Sequence, residues 1–177
     1  MLKLVAVFKK ELKSFLCSPV ALVFFGAYLL ATLFSFFWVE KFFSRNLADV
    51  RPLFEWMPVL MIFLTSAITM RMWSEERRTG TIELLMTSSA EIWELVLGKF
   101  FACLVIIGLA LAFTMILPFT VNFVAELDWG PVVGGYIATL FLAAGYLSVG
   151  LYVSSRSESQ IESLILSSLI CGFFYIL

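Results

Sequence analysis

From Val20 to Val39 the chain carries no charged residue. Such a run is long enough to cross the ~30 Å hydrocarbon core of a bilayer as a helix. A backbone that enters hydrocarbon must satisfy its own polar groups, so this stretch limits the fold to helices or a closed barrel. A cleavable signal peptide would have an apolar core of only about 7–15 residues and a small-x-small cleavage site. This run ends instead in Phe36, Phe37 and Trp38, residue types that favour the membrane interface. Four further apolar runs predict spans at 53–73, 99–121, 132–153 and 160–177. Only 14% of the residues are charged and mean hydropathy is +1.01, whereas a soluble domain carries about 25% charge. The expected fold is an all-α integral membrane protein. It forms a single transmembrane domain of five predicted transmembrane helices, the first over 20–39, after an N-terminal interfacial helix.

That interfacial helix is expected over residues 1–17. Leu4, Phe8, Leu12 and Phe15 share one face, and Lys3, Lys9, Lys10 and Lys13 fall on the other. The pattern suits a helix lying in the headgroup region with its lysines outward. Trp56 and Trp73 frame the second span, and Pro58 sits in its first turns. Pro118 should kink or end the third span. Asp128 is an expected cap and Pro131 a first-turn residue for the fourth. Gly98 with Ala102, and Ala144 with Ser148, have the small-xxx-small spacing that lets helices approach closely.

Charge sets the orientation. With the N-terminus inside, the inner segments hold Lys3, Lys9, Lys10, Lys13, Arg71, Arg77, Arg78, Lys99 and Arg156, and the outer ones only Lys41, Arg45 and Arg51. That asymmetry predicts a cytoplasmic N-terminus and a cytoplasmic 74–98 loop. Arg71, Lys99 and Glu162 lie near predicted cytoplasmic span ends, where they are expected to snorkel to the interface.

Several chemistries are excluded or unsupported. A net charge of -1 does not suit a protein held to nucleic acid by bulk positive charge. The chain has no histidine, the commonest general base and transition-metal ligand. Cys17, Cys103 and Cys171 are widely spaced and read as apolar packing residues. No phosphate loop, dinucleotide fingerprint or zinc-protease motif occurs. Glu75 and Glu76 stand beside Arg77 and Arg78 and are expected to form a solvated cytoplasmic face. No catalytic residue, bound cofactor or metal site is expected.

The 74–98 loop is patterned. Thr79-Gly80 supplies a helix stop. Thr81 to Met86 follows as a short amphipathic turn with Ile82, Leu85 and Met86 on one side. Ser88-Ser89-Ala90-Glu91 fits a capping box that starts the next helix. A short helix with an apolar face in water lies on the membrane or docks a partner.

Residues 71–87 resemble the ABC-2 type transporter permeases. Their pattern E-x-x-x-G-T-x-E-x-L after the second span is carried here by Glu76, Gly80, Thr81, Glu83 and Leu85. The similarity continues through Trp93–Lys99, Arg45–Trp56 and Asp128–Pro131, and is similar to the gliding-motility-associated permeases within that family. The resemblance implies a six-helix permease subunit in the plasma membrane, working as a dimer with a second copy or a paralogue. It implies an exporter driven by a separate cytoplasmic ABC ATPase that binds ATP and docks on a coupling helix at 81–87. Glu76, Gly80, Thr81, Ile82, Glu83, Leu85 and Met86 would be its coupling residues. Lys3, Phe8, Lys9, Lys10 and Lys13 would belong to the family's elbow helix. A sixth span is expected and is missing from the sequence. Two other readings stay open. An ion-gradient-driven carrier would place a functional charge at mid-span. A truncated, non-transporting scaffold would need no such charge. The substrate is not readable.

Overall fold

The computed structural model of the protein describes residues 2–39, 50–86, 91–124 and 127–177. The expectations for the 40–49 segment, Thr87, the cap at Ser88–Ala90 and Glu126 fall outside these residues, as do the side chains of Lys3, Leu85 and Met86. Helix α1 spans Leu2–Leu16 and α2 Pro19–Phe34, which passes into a π-helical turn at Ser35–Val39. Next come α3 (Arg51–Thr69), α4 (Ser74–Arg78), α5 (Thr81–Met86), α6 (Ile92–Thr114), α7 (Ile116–Val124), α8 (Trp129–Arg156) and α9 (Gln160–Ile176). Among the described residues there is no strand. The protein is an all-α membrane protein. Four helical stretches are long and apolar enough to cross a bilayer: Pro19–Val39, Arg51–Arg78, Ile92–Phe123 and Trp129–Arg156. Gln160–Ile176 is apolar and 17 residues long, or ~26 Å as a helix.

The α3 helix is the centre of the bundle. It packs on α2, α8 and α9, and its Met57, Met61, Leu64 and Ile68 are buried at helical spacing. Of its most apolar stretch 61% is buried, against 22% for Pro19–Val39. The latter therefore turns most of its surface outward. Lipid tails are as apolar as these side chains, so close packing must hold α3 to α8. Glycine provides it. A Cβ on Gly135 would lie 2.6 Å from the Phe54 ring, and one on Gly150 would collide with the Thr69 hydroxyl.

Local signals place the breaks. Pro19 opens α2 at a position where an amide is not needed. Met115 interrupts the third span, separating α6 from α7. Pro118 has no N–H for the carbonyl of Thr114, which explains the interruption there. The Asp128 carboxylate accepts from Gly130 N–H at 3.0 Å and caps α8. Ser159 caps α9 by accepting from Glu162 N–H at 3.2 Å.

Two differences from the sequence reading concern α1 and α6. The α6 helix begins at Ile92, ahead of the span limit expected at residue 99, so Lys99 lies two turns inside the helix. Glu91 is the cap, and its N–H donates to the Glu94 carboxylate at 3.4 Å. The α1 helix lays part of its apolar face on α6. Val7, Leu12 and Phe15 pack on the core, Phe8 is half-buried, and Lys9, Lys10 and Lys13 are exposed. Gly98 permits this approach, since a Cβ there would meet Val7 Cγ1 at 2.9 Å.

Candidate functional site

The patterned segment leaves α3 through a turn at Met70–Trp73. Ser154 of α8 braces that corner, its hydroxyl accepting from Trp73 N–H at 3.2 Å and Ser74 N–H at 3.4 Å. The α4 helix ends where Gly80 adopts φ 70°, the left-handed backbone that glycine adopts without strain. The Thr79 hydroxyl donates to Glu75 O at 2.9 Å and lies 2.9 Å from that of Thr81. These bonds hold α4 and α5 at a fixed angle. Arg77, Arg78, Thr79, Gly80, Thr81 and Glu83 are exposed. Ile82 is half-buried and packs on the core. Among the described side chains, the outward face of this segment is therefore polar, and Ile82 anchors it inward.

Beneath the segment lies a cluster of charges. Lys99 is 1% exposed, the most deeply buried charged side chain described. Its ammonium donates to Glu76 Oε1 at 2.9 Å, Glu11 Oε1 at 3.1 Å and the Met72 carbonyl at 2.8 Å. The Trp73 ring centroid lies 4.9 Å from the same nitrogen. An ammonium has three donors, and all three are used. The cluster holds two carboxylates against one buried cation. Lys10 supplies the balancing charge from the exposed side, 3.7 Å from Glu11 and 3.8 Å from Glu76. Burying an ion costs several kcal/mol, about what good geometry and full hydrogen bonding return. One acceptor, Glu76 Oε2, is buried without a partner.

A second, more exposed link lies alongside. Arg71 Nε donates to Glu75 at 3.0 Å, and the same guanidinium donates to the Ser18 hydroxyl between α1 and α2. Glu76 is therefore withdrawn from the expected solvated face, while Glu75 stays 40% exposed. Each is taken by a cation: Glu75 by the Arg71 one turn before it, Glu76 by Lys99 on another helix. Lys99 does not snorkel, because helix begins seven residues before it and α1 covers it.

The sequence reading missed Glu11. It stands seven residues after Leu4 and four after Val7, on the apolar face of α1. An acid on the greasy side of an amphipathic helix was a legible sign of a buried cation partner. Among the described residues no group of three or more His, Cys, Asp or Glu side chains could hold a metal. A groove of about 460 Å³ runs between α6 and α8, lined mainly by Trp73, Leu97, Phe100, Leu151 and Tyr152. Its walls are apolar and offer few groups to orient a polar ligand.

The model for the family described as "ABC-2 family transporter protein" matches residues 46–177. No curated protein and no solved structure matches the chain.

Proposed function

The chain belongs to the ABC-2 transporter family, and from that premise we propose that it is a permease subunit driven through residues 81–87 by a separate ATPase. The family makes it a membrane subunit of an ABC transporter that partners an ATP-binding subunit. The observation that carries the docking role is the isolated helix Thr81–Met86. It is set off by the left-handed Gly80, and among its described side chains Thr81 and Glu83 are exposed. Arg77, Arg78 and Thr81 offer donors to the ATPase surface, and Ile82 fastens the helix to the bundle. ATP would be bound and hydrolysed on the partner, since this sequence has no phosphate loop.

Direction, assembly and placement follow the same reading. The subunit works as an exporter, in a dimer with a second copy or a paralogue. It lies in the plasma membrane with its N-terminus and the 74–98 loop in the cytoplasm, which the Lys and Arg asymmetry supports. A buried lysine on a spanning helix also suits an ion-gradient carrier. Here the three donors of Lys99 are committed to fixed acceptors, which favours a structural cation over a proton shuttle.

The test is capture of a candidate ABC ATPase by this chain. Arg77→Glu with Arg78→Glu should abolish co-purification while the permease keeps its yield and melting profile. Unchanged capture would remove the docking role from this segment.

A further inference from the structure

Lys99 joins three elements that the chain supplies from distant positions. Glu11 comes from α1, 88 residues away, and Met72 and Glu76 come from the corner and helix that lead into α5. Lys99 itself belongs to α6, one of the spanning stretches. We propose that Lys99 is the positioning residue that ties the coupling segment to both α1 and α6, so that a push on residues 81–87 moves all three together. This rests on the reading of that segment as the ATPase contact.

The physical reason is the cost of separation. Moving α4 away alone would strip Lys99 of Glu76 and of the Met72 carbonyl. Moving α1 alone would remove Glu11 and unbalance the two carboxylates. Either leaves a buried charge short of partners, which costs far more than a lost surface pair. Sliding the three elements as one body keeps every partner. Packing reinforces the constraint on the α1 side, where Val7 and the Leu4 carbonyl press on Gly98, next to Lys99. On the other side Lys99 sits over Trp73 at 4.9 Å, and Ser154 braces Trp73 and Ser74. A push on α5 therefore meets a stiff path into the membrane and not a hinge. The exposed Lys10, 3.8 Å from Glu76 Oε1, adds a second link between α1 and α4.

A native reporter is available. Cys103 is fully buried and lies one turn beyond Lys99 on the same face of α6. With Cys17→Ser and Cys171→Ser in place, the rate of Cys103 alkylation by N-ethylmaleimide reads how tightly this region is closed. In the permease alone, in lipid nanodiscs, Lys99→Met should raise that rate by about tenfold, because the two carboxylates then keep only the exposed Lys10 and α1 loosens. An unchanged rate overturns the proposal. In the complex with the captured ATPase, a non-hydrolysable ATP analogue should change the Cys103 rate by about threefold or more. Glu11→Gln should keep ATPase capture and lose that response, which a purely structural role would not produce. A response of wild-type size in Glu11→Gln overturns the transmission role, and it decides the matter if Lys99→Met does not accumulate. Failure of the unaltered permease to capture the ATPase would instead sink the docking reading and leave the nanodisc result standing.

Discussion

The two ends of the third spanning stretch are held by different physics. At the Lys99 end, one buried ammonium gathers two largely buried carboxylates, a backbone carbonyl and an indole face. At the Thr114 end, the helix breaks at Met115 and the contacts are neutral. The Thr114 hydroxyl lies 3.2 Å from that of Tyr136, and the Tyr136 ring meets Phe54 edge-on at 5.4 Å. A neutral hydrogen bond can be lost for about 1 kcal/mol. A buried ion without its partner costs several times as much. The first end therefore specifies one arrangement of three elements, and the second tolerates adjustment. That division is what the proposed transmission from residues 81–87 requires.

The largest effect should come from the charged end. Lys99→Met is expected to cost about 3–5 kcal/mol, because two carboxylates are left in a buried site. Detergent-denaturation of the purified subunit would show it as a large drop in midpoint. Lys99→Met combined with Glu11→Gln and Glu76→Gln should recover part of the loss, since neutral amides no longer repel. A triple variant no more stable than the single one would mean that the cluster is held by packing alone.

Next comes the glycine seam between α3 and α8. Gly150→Ala would drive a methyl into the Thr69 side chain, and overpacking of this kind costs about 1–3 kcal/mol. Adding Thr69→Ala should restore roughly half, because the hydroxyl and methyl that would be struck are gone. Gly145→Ala on the same helix meets nothing within 4 Å and serves as the control. If Gly150→Ala and Gly145→Ala behave alike, close approach at the seam is not what holds α3 to α8.

How much of this was legible follows from the range of the forces. The spanning helices show in the sequence because hydrocarbon tolerates few charges, so each span announces itself locally. The stop at Gly80 and the cap at Asp128 are also local, set by single residues. The charge-free run after Lys99 sets the expected span limit there, while the helix itself begins earlier, at Ile92. The burial of Lys99 could not be read from its neighbours. It depends on Glu11, which approaches only when α1 folds back across Gly98. Ile82, the described member of the apolar side expected on the 81–86 helix, is half-buried against the core of other helices, a contact that nothing nearby in sequence announces.

The smallest effect probes the neutral end. Tyr136→Phe keeps the ring against Phe54 and removes only the hydroxyl that meets Thr114. The Thr114 hydroxyl retains its bond to the Leu111 carbonyl at 2.7 Å, so no buried donor is stranded. The expected loss is therefore about 0.5–1 kcal/mol, below the usual penalty for an unsatisfied group. Thr114→Val should cost a similar amount, and the double variant little more than either alone, because both remove the same bond. A loss of several kcal/mol from Tyr136→Phe would place this end in the same class as Lys99. The contrast between a rigid receiving end and an adjustable far end would then fail.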